Sequence, residues 1–445
     1  MRAARPLGYP LHIDATCEHG KGGTFVCLDG WTDWVLHAVK IASENESELR
    51  PAVDRTLAAF GQPLAIVRDL GSGGEQAVAD YRQQGIPDLL CHYHFLAAVG
   101  HRLLDDSHAS LRNQLTRSRL RKRLRELLKA TRPSPLGQLP TGVREQLPAL
   151  LLWLLEGSAR KHPPYPFALP ELDLYRRCGQ FRAECQRRLP QPHTQREQRV
   201  LRQVGLAIAD LQVLDPQGRV AARLEGAANT FQHLRDVLRL TTEELPRGQR
   251  PGPTARLSAE AAANRLQAIA TDLQRYHQQL RQQAARGLLA DQPEAIVLSY
   301  LDRYGEQLCG HPVVRDSAGR AQAFVERTNN AIEHYFAHAK RGLRRRLGRA
   351  HLGRDMEDQP AQAALVDNLR HPDYVHVVCG SLEKLPQAFA ELDQLEVPDS
   401  NPLQRNNRDT TLWRQIRAWA QDTDQHSDSL SDPKCAQTHS SATES

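Results

Sequence analysis

Along the first hundred residues the hydrophobic pattern switches repeatedly between two periods. Leu11, Ile13, Ala15 and Cys17 alternate with His12, Asp14, Thr16 and Glu18, the period of two expected of a strand with one buried face. Asp14 then stands in mid-strand on the polar side. A turn over residues 19–23 leads into a strand over 24–28, and a second turn over 29–33 leads into a strand over 34–41. Three strands in succession predict a meander. Residues 43–60 read as a helix, with Ser43 and Glu46 spaced as a capping box. The apolar run 64–67 ends at Arg68-Asp69 and meets Gly71-Ser72-Gly73-Gly74, which predicts a buried strand stopping at a glycine-rich turn. A helix over 75–84 and a short strand over 87–91 complete a mixed α/β unit.

From His101 to about Leu308 the period becomes helical. Leu103, Leu104, Leu111, Leu115, Leu120, Leu124, Leu127 and Leu128 keep i, i+3/i+4 spacing, and similar stripes recur over 145–158, 171–189, 196–213 and 257–286. Proline-rich stretches at 133–140, 162–170 and 246–253 punctuate these stripes as interhelical loops. The pattern predicts a first core segment over 1–100, an all-α insertion over 101–308, a final core segment over 309–395, and a C-terminal segment over 396–445 that is disordered from about 422, where apolar residues nearly vanish. A last helical stripe, Ile332, Tyr335, Phe336, Ala339 and Leu343, begins near Asn330.

Composition adds limits. With 445 residues and 40% hydrophobic content, the chain has enough apolar surface for a packed core. No run approaches the apolar length of a bilayer helix, and residues 1–10 carry no apolar signal segment, so the expectation is a cytoplasmic protein without a membrane partner. Eight irregularly spaced cysteines predict reduced thiols rather than a disulfide framework. The net charge of +6 is modest, but it is clustered: residues 117–132 hold eight Lys/Arg against one acid, and residues 340–354 hold seven with no acid. Such clustering suits a polyanionic partner, and Lys340, Arg341, Arg344, Arg345 and Arg346 are the candidate DNA contacts.

Three acids carry the candidate chemistry. Phosphodiester cleavage assisted by two metal ions needs carboxylates converging from rigid elements. Asp14 in mid-strand and Asp69 at the end of a buried strand meet that need, although each alone could be a solvated or turn residue. A third acid is sought beyond the helical insertion. Glu333 lies on a helix face with Ala337, Lys340 and Arg344. Asn330 and Glu333 could equally be a capping box, and from the motif alone the two uses stand level. Glu326 is the competing acid, placed before the cap.

The ordered segments His12-Ile13-Asp14-Ala15-Thr16-Cys17-Glu18, Val67-Arg68-Asp69-Leu70-Gly71, Cys91-His92-Tyr93-His94-Phe95-Leu96 and Glu326-Arg327-Thr328-Asn329-Asn330-Ala331-Ile332-Glu333 resemble the motifs of prokaryotic DDE-type insertion-sequence transposases. The likeness covers residues 11 to about 385. It implies a ribonuclease-H-like mixed-sheet core with a large all-α insertion, and Asp14, Asp69 and Glu333 as catalytic ligands of two Mg²⁺ (or Mn²⁺) ions. It also implies DNA as partner, a homo-oligomer on that DNA, and a nucleoid-associated location. Cys91 and His94 match the Cys-x-x-His signature that such enzymes often carry. A zinc reading of that pair lacks a second pair at suitable spacing, so a local structural role is expected; Cys178 and Cys185, in one stripe with Tyr175, Phe181 and Leu189, read as core. The family usually carries an N-terminal DNA-end-binding module, whereas Asp14 comes almost at once here, which implies a truncated copy or a separately encoded recognition subunit. A structure-specific nuclease and a non-catalytic, domesticated relative are the rival functions.

Overall fold

The computed structural model describes residues 7–17, 23–131, 146–156, 164–188, 195–214, 218–240 and 258–394. Most of the turn expected at 19–23, the proline-rich stretches at 133–140 and 246–253, the Cys185 side chain and the C-terminal tail fall outside them.

Five strands form one sheet: β1 (Pro10–Thr16), β2 (Gly23–Asp29), β3 (Trp34–Ile41), β4 (Ala65–Arg68) and β5 (Asp88–Leu90), in the order β3-β2-β1-β4-β5. The β1–β2 and β2–β3 pairs are antiparallel, whereas β1–β4 and β4–β5 are parallel. The meander therefore stands as expected, and the two helices α1 (Glu46–Phe60) and α2 (Ser72–Gln83) are the crossovers that parallel pairing requires. Leu49, Ala52, Val53 and Leu57 of α1, with Ala77 and Val78 of α2, pack on Leu11, Ile13, Phe25, Cys27 and Ile66.

The opposite face of the sheet differs from its expected solvated character. Val26, Leu28, Val35 and Ala38 pack against Ile332 and Phe336 of α11 (Asn330–Leu347) and against Ala361 and Ala364, the latter in α13 (Ala363–Val366). Burying a side chain such as Ile332 or Phe336 contributes about 1.5–3 kcal/mol, so the apolar stripe of α11 is what holds this helix on the sheet. His12 is consequently only 1% exposed. Alternation alone does not tell a polar face in water from a polar face under a helix.

Two helix starts also differ from expectation. Asn45, not Ser43, caps α1: its side chain accepts the Glu48 N–H at 3.1 Å, while the Glu48 carboxylate takes the Ala42 N–H. Helix α2 begins at Ser72 rather than after the glycines. A Cβ on Gly73 would lie 1.9 Å from the Glu44 carbonyl oxygen, so glycine there serves close approach of the α1 entry loop.

Helical structure begins at α3 (His92–Arg117), before the boundary expected at residue 101, and continues through α4 (Leu120–Thr131), α5 (Gln146–Glu156), α6 (Pro170–Arg188), α7 (Gln195–Leu214), α8 (Arg219–Val237), α9 (Ala259–Ala285) and α10 (Pro293–Tyr304). One apolar core joins them, with Phe95, Val99, Leu103 and Leu104 of α3 meeting Leu224, Phe231 and Leu234 of α8. Phe181 and Cys178 belong to it, as expected. Neither α8 nor α10 stood out in the sequence: the stripe of α8 is diluted by alanine, and α10 is short and opens on Pro293. After α10 come the hairpin β6 (Val313–Arg315) and β7 (Ala321–Phe324), then α11, α12 (Gly353–Asp358), α13 and α14 (Pro372–Cys379). Met1–Val378 is one compact unit; Cys379 onward is a second, in which α15 (Leu385–Gln394) is described.

Candidate active site

Strand β1 carries Asp14 beside Val26 of β2, and its Oδ1 accepts the Ala15 N–H at 2.8 Å. Parallel pairing aligns His12 with Val67; carried two residues further, the same register brings Asp14 level with Asp69. The two acids thus come from neighbouring strands whose ends point the same way. Asp69 Oδ1 accepts the Gly71 N–H at 3.2 Å.

The position of Asp69 is fixed from behind by Arg68, a residue the sequence did not single out. Its guanidinium is buried and grips Asp88 with two bonds of 2.8 and 2.9 Å, while Nη1 donates to the Asp69 carbonyl at 2.9 Å. Gln307 Nε2 also donates to Asp88 Oδ2 at 2.5 Å. A buried pair needs such extra hydrogen bonds to offset its desolvation.

Glu333 enters from α11, whose N-cap is Asn329 with no side-chain capping bond. The capping-box alternative is therefore not realised. Asn329 uses its side chain elsewhere: Oδ1 lies 2.7 Å from His12 Nδ1, and Nδ2 donates to the Ile13 carbonyl at 3.2 Å. Its backbone N–H points to Cys91 Sγ at 3.2 Å. The preceding loop is tied down as well, since the His92 N–H donates to the Arg327 carbonyl at 2.9 Å and the Arg327 guanidinium donates to the carbonyls of Leu238 and Arg239, just past the end of α8. Cations at a helix C-terminus are stabilising there. Glu326 is exposed on this loop.

The acids feel one another. Burial, then the charge of Asp69 and more weakly that of Glu333, push Asp14 up to about 8, although His94 pulls the other way. Burial and Asp69 likewise raise Glu333, again against His94. For His94 itself burial acts downward, but the Cys91 sulfur, Glu333 and Asp69 together hold the imidazole at about 10. His94 Nε2 lies 3.4 Å from Glu333 Oε1.

At ligand distance the grouping is different from the expected triad. Among the described residues, the set whose donor atoms all lie within 4.8 Å of one another is Cys91, His94 and Glu333; Asp14 and Asp69 are electrostatic neighbours of that set and not members of it. Cys91 closes β5 and caps α3, and His94 sits one turn into that helix.

Of the candidate cations on α11, Arg341, Arg345 and Arg346 are exposed and make no ion pair among the described residues. Lys340 is engaged, donating to the Cys17 carbonyl at 2.9 Å, and Arg344 Nε donates to the Ala350 carbonyl at 3.1 Å. Beside α11 runs a groove of about 550 Å³ whose lining includes Lys40, Lys340, Arg345, Arg346 and Arg370. The earlier basic run behaves otherwise: Arg121 pairs with Glu171 and Arg123 with Asp210, so part of it serves contacts within the chain.

No family model and no curated protein matches this chain. Among the described residues no helix is long and apolar enough to cross a membrane.

Proposed function

We propose that this chain is the catalytic core of a DDE-type transposase, with a ribonuclease-H-like sheet, that cleaves and joins DNA strands with divalent metal ions. The observation that carries the reading is the gathering of Asp14, Asp69 and Glu333 around His94, where burial first and then the neighbouring acids raise Asp14 in spite of the His94 charge. Proteins tolerate such repulsion where a cation or a reaction uses it. A mixed sheet with one acid in its central strand and another at the end of the adjacent parallel strand suits the fold that the motif order implies.

The oxygen donors of Asp14, Asp69 and Glu333 fit hard cations such as Mg²⁺ or Mn²⁺. When bound, two such ions would lower the pKa of an attacking water or DNA hydroxyl and neutralise charge on the leaving oxygen. The chain's own part is to position. Asp14 and Asp69 are held by the sheet and by Arg68, Glu333 is held by α11, and Arg341, Arg345 and Arg346 neutralise phosphates along the same helix without reading sequence. Bound DNA, a DNA-recognition subunit and a homo-oligomer on DNA belong to the proposal.

The test is strand cleavage and strand transfer in Mg²⁺ or Mn²⁺. Asp14→Asn, Asp69→Asn and Glu333→Gln should each lower cleavage by roughly 10³-fold or more while DNA binding persists. Normal cleavage by Glu333→Gln with loss in Glu326→Gln would move the third acid, and cleavage without transfer would reduce the protein to a nuclease.

A further inference from the structure

Glu333 lies far along the chain from Cys91 and His94, yet one ligand atom from each of the three lies within 4.8 Å of the other two. The set is mixed: one sulfur, one nitrogen, one oxygen. A magnesium ion takes oxygen donors and has little use for a thiolate, whereas zinc accepts Cys, His and carboxylate together in tetrahedral sites.

Three features prepare the sulfur and the carboxylate for a metal. Cys91 is fully buried at the N-terminus of α3, with its sulfur turned toward His94 and Glu333. The backbone N–H of Asn329 points at its Sγ from 3.2 Å, the kind of outer contact that orients a metal-bound thiolate. Glu333 Oε1 is buried and makes no hydrogen bond among the described residues, and His94 Nε2 lies 3.4 Å from it. A buried carboxylate oxygen without a hydrogen bond is costly, and a cation would satisfy it.

We propose that Cys91, His94 and Glu333 form a binding site for a thiophilic divalent cation of the zinc type. Three protein ligands leave the fourth tetrahedral position open. Binding displaces the thiol proton and any imidazolium proton to solvent. The site stands on its own geometry; only its consequence, that Glu333 cannot serve this ion and a magnesium cluster independently, rests on the proposed transposase reading. The cysteine and histidine alone supply half a site; the third ligand arrives through the folding of α11 onto the sheet.

The experiment uses the full chain, stripped of metal and titrated with Co²⁺ as a spectroscopic stand-in. One equivalent should give a thiolate-to-cobalt charge-transfer band with tetrahedral visible bands. Cys91→Ser should abolish the charge-transfer band, His94→Gln should weaken binding by about tenfold or more, and Glu333→Gln should shift the visible bands. Cys17→Ser, at an exposed cysteine, should change nothing. Far-UV circular dichroism confirms that each variant is folded. A folded wild-type protein without the band, or a band that survives Cys91→Ser, overturns the proposal. Failure of DNA cleavage with the band intact would sink the transposase reading alone, and cleavage without the band would sink the metal site alone.

Discussion

His12 and Asn329 join the central strand to the entrance of α11 through a 2.7 Å contact between Nδ1 and Oδ1. Burial lowers the His12 imidazole to about 4, with the Asn329 bond opposing, so the ring is neutral at working pH. Because Asn329 Nδ2 already donates to the Ile13 carbonyl, Oδ1 is the atom facing His12, and Nδ1 must carry the proton. One asparagine therefore touches β1 on both sides of its chain direction and Cys91 through its backbone.

Removing that amide leaves His12 and the Ile13 carbonyl without partners in a buried place. Asn329→Ala should cost about 2–4 kcal/mol, read from urea unfolding. It should also lower cleavage more than DNA binding. A variant as stable as wild type would show that the contact is incidental.

Asp14→Asn should stabilise the metal-free protein while abolishing activity. The folded pKa of Asp14, about 8, lies above its unfolded value of 3.8. Between those values the folded state holds the proton that the unfolded chain has released, so stability from this group is full below about pH 4 and is lost as pH rises through 8. The advantage of Asp14→Asn should grow over that window and level off above it, reaching a few kcal/mol in order of magnitude. Mg²⁺ should narrow the gap by binding wild type alone. Chemical denaturation at several pH values checks both, and a flat difference would contradict the crowding.

Breaking the buried pair behind Asp69 should be severe. Asp88→Ala strands the Arg68 guanidinium, at a cost of about 3–5 kcal/mol. Thermal unfolding reads this directly, and a loss under about 1 kcal/mol would mean the pair behaves as if solvated.

Charge on α11 should appear in the salt dependence of DNA binding. Replacing Arg341, Arg345 and Arg346 together by alanine should reduce the slope of log K against log salt by about two to three. Lys340→Ala should change it less, because that ammonium is committed to the Cys17 carbonyl. Equal effects would show that Lys340 reaches DNA.

If Glu333 is shared, zinc should antagonise magnesium. Micromolar zinc should suppress cleavage by the wild type, and Cys91→Ser should resist it, as measured in a cleavage titration at fixed Mg²⁺. Equal sensitivity in both proteins would place the inhibitory ion elsewhere.

Local pattern was enough for the strands around Asp14 and Asp69, since alternation and a run stopped by glycines are short-range signals. It also gave the stripe of α11, where Ile332 and Phe336 recur at helical spacing. What escaped it was contact across distance. Nothing near His12 announces that a helix more than three hundred residues later will cover it, and Arg68 and Asp88 look like ordinary surface charges until β4 and β5 pair. The same holds for Cys91 and His94, whose third companion is set by tertiary packing. The fate of Lys340 was hidden too, because a basic run does not reveal which member a distant backbone carbonyl engages.

Arg327 ties the helical region to the loop that leads into α11. Its fork holds the final carbonyls beyond α8, and a few residues further along the same chain stands Glu333. Under the proposed function, a displacement of α8 would reach the loop before Glu333 through that clasp, which would make the helical region a lever on the third acid.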